Sequence, residues 1–348
     1  MNHFANMLPP ENDPSFSVNS WTPRDVILRD AWFPVANAHH VGRKPVRRSI
    51  HSQPYYLWRD GNGVAVASEF HPANPVKDGG FFTGGTGFYP AIERWGYIWA
   101  WYGDPANADE MVLPDVPYLP RDGGLPKYMS GTVRFDCTSA LSLENLIDLT
   151  HADYLHASVV GDDLSDDDGI EVVTTSETVT MIRTCKGKSV APVMRYVGGT
   201  FARTQDVRAV IHIFLRSHVA LAYGRYRPGF DVPLFHPCIP ETRDRCRLDY
   251  TFNMSGTLSP FRYVMPKASY IVSGQDNYMT RPQNQAYLEP TRRRDLHSPF
   301  DQSGQKYRAG MQALARRQAA GDYSYRSDGL LSADCSELLG IDRKQYQR

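Results

Sequence analysis

Cysteine is scarce in this chain of 348 residues: five occur, Cys137, Cys185, Cys238, Cys246 and Cys335, and none precedes Cys137. Their irregular spacing offers neither a disulfide framework nor a zinc site, so reduced structural thiols are expected. No apolar run reaches the roughly 18 residues a membrane span requires, and the polar, Pro-rich N-terminus has no charged-then-apolar leader. The expectation is a cytoplasmic location and no membrane partner. Net charge is missing as well, since 38 Lys plus Arg balance 38 Asp plus Glu. Without a basic run carrying interleaved aromatics, nucleic-acid binding is not expected, and Arg292-Arg-Arg294 reads as a solvated loop face.

What is present divides into three stretches. Residues 1–24 (Asn12-Asp-Pro-Ser-Phe-Ser within them) read as a flexible arm. Residues 25–125 hold short β-like runs, Tyr55 to Arg59, Val64 to Ala67 and Gly96 to Tyr102, with Gly and Asn at the turns. The Pro-rich residues 105 to 126 read as a crossing linker. From 126 to 348, Gly131 to Ser139 reads as a strand, and alternation over Ile170 to Arg183, Val207 to Leu215 and Leu248 to Asn253 predicts antiparallel strands. Gln305 to Ala319, with Tyr307, Met311 and Leu314 at helical spacing, predicts a helix. The fold class is α+β. The acidic run between Gly161 and Gly169 lacks the ligand spacing of an EF-hand and reads as a solvated loop.

The densest chemistry lies in Asn145-Leu-Ile-Asp148-Leu-Thr-His151-Ala-Asp-Tyr-Leu-His156. Two His, joined by a carboxylate from elsewhere, form the ligand set of a non-haem Fe(II) site. Residues five apart lie about 140° apart around a regular helix. A widened, π-type turn between His151 and His156 is therefore predicted, a feature found mostly at functional sites. Asn145, Asp148 and His151 recur every three residues and are expected to share a face. Taken alone, the pair reads as two ordinary polar histidines among the eleven of the chain sooner than as a ligand pair.

The surrounding residues spell N-x-x-D-x-x-H-x4-H, and the stretch from Glu144 to Gly161 resembles the vanillate O-demethylase branch of the Rieske-type non-haem iron oxygenases. Trp32-Phe-Pro-Val35, Tyr56-Leu-Trp-Arg-Asp60, Glu93-Arg-Trp-Gly-Tyr-Ile-Trp-Ala-Trp101 and Gly103-Asp-Pro105 are similar to the start of those enzymes. The likeness covers most of residues 28 to 330, loosely outside the motifs. It departs at the cluster: a Rieske centre needs C-x-H and C-x-x-H, while Gly63 to Glu93 contains only His71.

The resemblance implies a degenerate Rieske-like β domain at 25–125 without cluster ligands, followed at 126–348 by a helix-grip (START-like) catalytic domain with an antiparallel sheet. It implies Asp276, in Ser273-Gly-Gln275-Asp276, as third ligand beside His151 and His156. A helix-starting Asp is the alternative for that residue, and Arg281-Pro282, where the family carries a different pattern, is expected to alter the local helix. Asp148 is implied to bridge the centre to a cluster across a subunit boundary, and Asn145 reads as a hydrogen-bonding support or a helix cap. The implied cofactor is Fe(II) with no [2Fe-2S] cluster in this chain. The implied partners are a Rieske or ferredoxin electron donor with an NAD(P)H-dependent reductase, in a trimeric homo- or hetero-oligomer, as in methylxanthine N-demethylase complexes. The expected activity is insertion of one oxygen atom into a small aromatic or heterocyclic substrate, by hydroxylation or O-/N-demethylation. A non-catalytic structural subunit of a hetero-oligomeric oxygenase, or a small-molecule carrier without iron, are the alternatives. Phe214, Tyr223 and Phe252 read as pocket or core residues alike.

Overall fold

The computed structural model describes residues 26–74, 80–161, 168–257, 260–288, 298–322 and 335–346. The N-terminal arm, most of the acidic run after Gly161 and the Arg292-Arg-Arg294 triplet lie outside them.

Two small antiparallel sheets form the N-terminal half. One joins β1 (Ala31–Asn37), β7 (Tyr97–Tyr102) and β6 (Ala91–Arg94); the other joins β2 (Val46–Ile50), β3 (Gln53–Arg59), β4 (Ala65–Ser68) and β5 (Phe88–Tyr89). The chain between β4 and β5 is gathered by buried Glu69, whose carboxylate accepts the Phe81 and Phe82 N–H groups, both at 2.9 Å, and the Thr83 hydroxyl at 3.3 Å. His71 is exposed there.

The second half is built on a seven-stranded antiparallel sheet. Its strands are β8 (Ser130–Phe135), β9 (Gly169–Thr174), β10 (Thr178–Ser189), β11 (Thr204–Phe214), β12 (Val219–Arg227), β13 (Asp231–Pro240) and β14 (Cys246–Phe252), in the spatial order β8-β14-β13-β12-β11-β10-β9. Helices α1 (Ser139–Ile147), α4 (Phe261–Leu288) and α5 (Gln302–Ala319) pack on it; α2 (His151–Leu155), α3 (Pro192–Tyr196) and α6 (Ser336–Leu339) are short. An antiparallel sheet gripping long helices is the expected α+β, helix-grip-like architecture. Among the described residues, no helix is long and apolar enough to cross a membrane.

Successive strand residues point to opposite faces, and here both faces are covered. Val210, Phe214, Val219, Leu221 and Tyr223 meet the tryptophan-rich N-terminal half at Trp32, Trp95, Trp99 and Trp101. Ile211, Ile213 and Ala220 meet α1 and α5 through Leu143, Ile147, Tyr307 and Met311. Residues 105 to 126 depart from the expected linker: Val112, Leu113, Val116, Tyr118 and Leu119 are buried in the tryptophan cluster, and the Tyr118 hydroxyl donates to the Leu234 carbonyl at 2.7 Å. The prolines bend this strap, while the apolar residues between them fix it to the sheet.

Candidate metal centre

Helix α1 starts at Thr138, whose hydroxyl accepts the Leu141 N–H at 3.1 Å, a cap that satisfies an otherwise orphaned donor. It ends at Asp148, where the backbone turns extended (φ −82°, ψ 93°). The Asp148 side chain closes the turn, its Oδ1 accepting the Thr150 N–H at 2.9 Å and the Thr150 hydroxyl at 2.5 Å. Helix α2 restarts at His151 and closes with an ordinary four-residue bond from His156 N–H to Ala152 O, 3.1 Å. The expected π-type turn is therefore not formed. Histidine pairing is achieved differently, because His156 is the residue after the last helical one (φ −110°, ψ 20°) and leaves the helical path. The break at Asp148 also puts Asn145 and His151 on separate helices instead of one shared face.

Asp276 comes from the middle of α4, not from its start, and the helix runs on through Pro282. Three atoms converge. The His151 and His156 Nε2 atoms are 3.2 Å apart, and Asp276 Oδ1 lies 3.4 Å from the first and 3.1 Å from the second. Each imidazole is oriented from behind: His151 Nδ1 donates to the Asp148 carbonyl, and His156 Nδ1 donates to Gln275 Oε1 at 2.8 Å. Donation at Nδ1 leaves both Nε2 lone pairs facing the carboxylate. Asn145 Nδ2 donates to Asp276 Oδ1 at 2.9 Å.

Three lone-pair atoms crowded together repel unless a proton or a cation lies among them. The titration of the site carries that signature. Burial alone would raise the Asp276 pKa, but hydrogen bonds from His151 and His156, made when a proton occupies Nε2, outweigh it and hold the carboxyl far below its usual range. Burial alone would lower His151, and the Asp276 hydrogen bond and charge reverse that and raise it. A metal ion satisfies the site as well. Ligands about 2.1 Å from one ion stand about 3.0 Å apart at right angles and about 3.4 Å apart at the tetrahedral angle. The observed 3.1, 3.2 and 3.4 Å fall within that interval. Among the described residues, His151, His156 and Asp276 are the one such group able to hold a metal.

A cavity of about 240 Å³ opens beside the three atoms, lined by residues that include Leu146, Val160, Val207, Val272 and Phe252. Tyr223 also lines it, whereas Phe214 packs in the tryptophan cluster.

Residues 135–317 match the family described as the vanillate O-demethylase oxygenase C-terminal domain. The chain belongs to the vanillate O-demethylase oxygenase family. Within curated members, 163 residues are 29% identical to the oxygenase component of dicamba O-demethylase from Stenotrophomonas maltophilia, covering 37% of this chain and 48% of that one. A second match, over 183 residues, is 27% identical to the vanillate O-demethylase oxygenase subunit of a Pseudomonas strain, covering 43% of this chain and 51% of that one. The chain thus spans about half the length of these curated relatives. A structure of dicamba monooxygenase with non-haem iron and dicamba shares the fold, at TM-score 0.62 and 19% identity over 84% of this chain and 98% of that one.

Two features of this family member escape sequence reasoning. Gln275 is one: it adjoins Asp276, but nothing in its spacing marks it as a partner of His156. The other is Arg183 on β10, whose guanidinium donates to the Leu149 carbonyl at 3.1 Å, to Asp168 at 2.5 Å and, most closely, to Asp153. Leu149 and Asp153 each lie two residues from His151, so Arg183 clamps both flanks of a candidate ligand. Lys188 completes the cluster at 3.2 Å from Asp168.

Proposed function

We propose that this chain is the oxygenase component of a multicomponent monooxygenase, holding one non-haem Fe(II) through His151, His156 and Asp276. The observation that carries this reading is the convergence of two imidazole nitrogens and one carboxylate oxygen, 3.1 to 3.4 Å apart, at the wall of an apolar cavity. Fe(II) held by such a 2-His-1-carboxylate set supplies the activation of O2. The protein's share is positional. Asp148 O and Gln275 fix the two tautomers, Asn145 steadies the carboxylate, and supporting partners of this kind are worth about 10–100-fold in metal affinity. The apolar lining keeps water from the substrate and orients it beside the ligands.

The net reaction takes a C–H bond, O2, two electrons and two protons to an alcohol and water. At an O- or N-methyl group the product hydroxymethyl collapses to formaldehyde and the demethylated compound. Two electrons must enter from outside. None of the five cysteines is followed by a His at the C-x-H or C-x-x-H spacing, which supports a separate Rieske or ferredoxin donor with its reductase. Half-buried Asp148, next to the ligand helix, is the candidate route of entry.

The deciding experiment is metal analysis of the purified chain after anaerobic reconstitution with Fe(II), together with a visible spectrum and turnover of methoxyarenes with a chemically reduced ferredoxin. One iron per chain, no iron–sulfur absorbance and donor-dependent formaldehyde are expected. No iron uptake would favour the structural-subunit alternative.

A further inference from the structure

The cavity wall carries cations that, among the described residues, are paired with carboxylates. Among the described residues, Arg183 and Lys188 are its lysine and arginine side chains. Both are already paired: Arg183 with Asp153 and Asp168, Lys188 with Asp168 at 3.2 Å and Asp153 at 3.9 Å. These four side chains are only 4 to 9% exposed. Two cations therefore face two carboxylates inside the protein. Asp276 is committed to the histidine pair.

Beyond the three candidate ligands, His236, Tyr226 and Cys185 on the wall are held uncharged. His236 donates from Nδ1 to the Asp249 carbonyl at 3.1 Å, and burial lowers its pKa, so its remaining nitrogen is a neutral acceptor. Burial pushes the Tyr226 hydroxyl up to about 12 and the Cys185 thiol up to about 11.

We propose that this cavity selects an uncharged, largely apolar substrate over its carboxylate or ammonium analogues, because the two cations on its wall are already ion-paired, to Asp153 on the wall and to Asp168. The proposal rests on the oxygenase reading of the same site. An entering carboxylate would have to displace Asp153 or Asp168 from Arg183, or lie unpaired against Val160, Val207 and Val272. Either course leaves a buried charge uncompensated, which is costly. An ammonium group meets the mirror-image problem. A neutral aromatic or N-methyl heterocycle needs no rearrangement, and it finds acceptors at His236 and Tyr226.

The test is calorimetric titration at neutral pH, under anaerobic conditions, of the full chain both iron-free and Fe(II)-loaded. The probes are 4-methoxybenzamide against 4-methoxybenzoate, and 6-methoxy-2-naphthamide against 6-methoxy-2-naphthoate. The amides are expected to bind at least about tenfold more tightly than the acids. Asp168→Asn, which leaves a cation without its counter-charge, should tighten the acids about tenfold and change the amides less than about threefold. Should that variant fail to fold, Lys188→Met, which leaves two carboxylates facing one cation, is expected to weaken the acids at least about threefold relative to the amides. Acids binding as tightly as amides, an unchanged acid-to-amide ratio in folded Asp168→Asn or in Lys188→Met, or no amide binding at about millimolar concentration would each overturn the assignment. Iron content of the same samples separates the two readings. Iron uptake with a preference for acids sinks the substrate class alone, and amide preference without iron uptake sinks the oxygenase reading alone.

Discussion

The molecule contains two histidine pairs of similar geometry and opposite chemistry. His151 and His156 stand with ring centroids 5.1 Å apart at 77°; His51 and His218 stand 6.0 Å apart at 90°. The first pair faces a carboxylate, and His151 is raised in pKa by it. Among the described residues, the second pair faces none. His51 comes from the turn between β2 and β3, in the left-handed region (φ 46°), and is wedged against Phe33 and Tyr102; His218 bonds through Nδ1 to the Ser139 hydroxyl at the start of α1, 2.7 Å away. Neither Nε2 meets a hydrogen-bond partner among the described residues. Burial pushes His51 down to about 3 and His218 down to about 4. One aspartate thus separates a candidate ligand pair from a packing pair.

Removing that aspartate gives the largest expected effect: Asp276→Ala should reduce bound iron from one per chain to none by elemental analysis, while substitution of His51 by Phe should leave iron content unchanged. Retained iron in Asp276→Ala would erase the distinction.

Next in size is Arg183→Met, which removes the guanidinium from buried Asp153 and Asp168 and leaves Lys188 alone to face both carboxylates. A loss of roughly 3–5 kcal/mol of folding stability is expected in urea denaturation.

The packing pair predicts an acid limb. The unfolded chain takes up protons on these histidines below about pH 6.5, whereas the folded chain refuses them down to about 4 for His218 and about 3 for His51. Folding stability therefore falls as pH drops from about 6.5 towards about 4, on the order of 3 kcal/mol for each residue. In His51→Phe the slope over that window should shrink by about one proton in denaturation curves taken at successive pH values; an unaltered slope would show that His51 is not the group refusing the proton.

The smallest expected change is in Gln275→Leu, which frees the His156 ring while leaving the three proposed ligands in place. Iron affinity should weaken about 10–100-fold in competition with a chelator, and a native value would show that the ring is held by packing alone.

The two pairs also show what a sequence discloses. His151, His156, Asn145 and Asp276 were legible because they sit in a spaced motif and in a segment resembling a family pattern. The strands were legible from alternation, and α5 from Tyr307, Met311 and Leu314. Three-dimensional support was not legible. Arg183 reaches Leu149 across 34 positions, and no local pattern announces such a contact. The predicted π-type turn failed because helical-wheel arithmetic assumes one unbroken helix, whereas Asp148 ends one and His156 lies past the end of the next. Residues 105 to 126 were read through their prolines, and Val112, Leu113, Val116 and Leu119 carried the contrary signal of an apolar strap.

The cavity owes its room to small side chains on the central strands. Ala209 stands opposite Gly224 and Ile211 opposite Ala222, and all four line the cavity. A side chain at Gly224 would meet the Tyr226 ring at 2.8 Å. Space created by subtraction from a rigid sheet needs no hinge or lid to maintain it. Such a cavity is adjustable in steps of a single methyl group, each worth about 0.8 kcal/mol of apolar contact, so substitutions one codon at a time retune which molecules it accepts while the proposed iron ligands, on other elements, stay where they are.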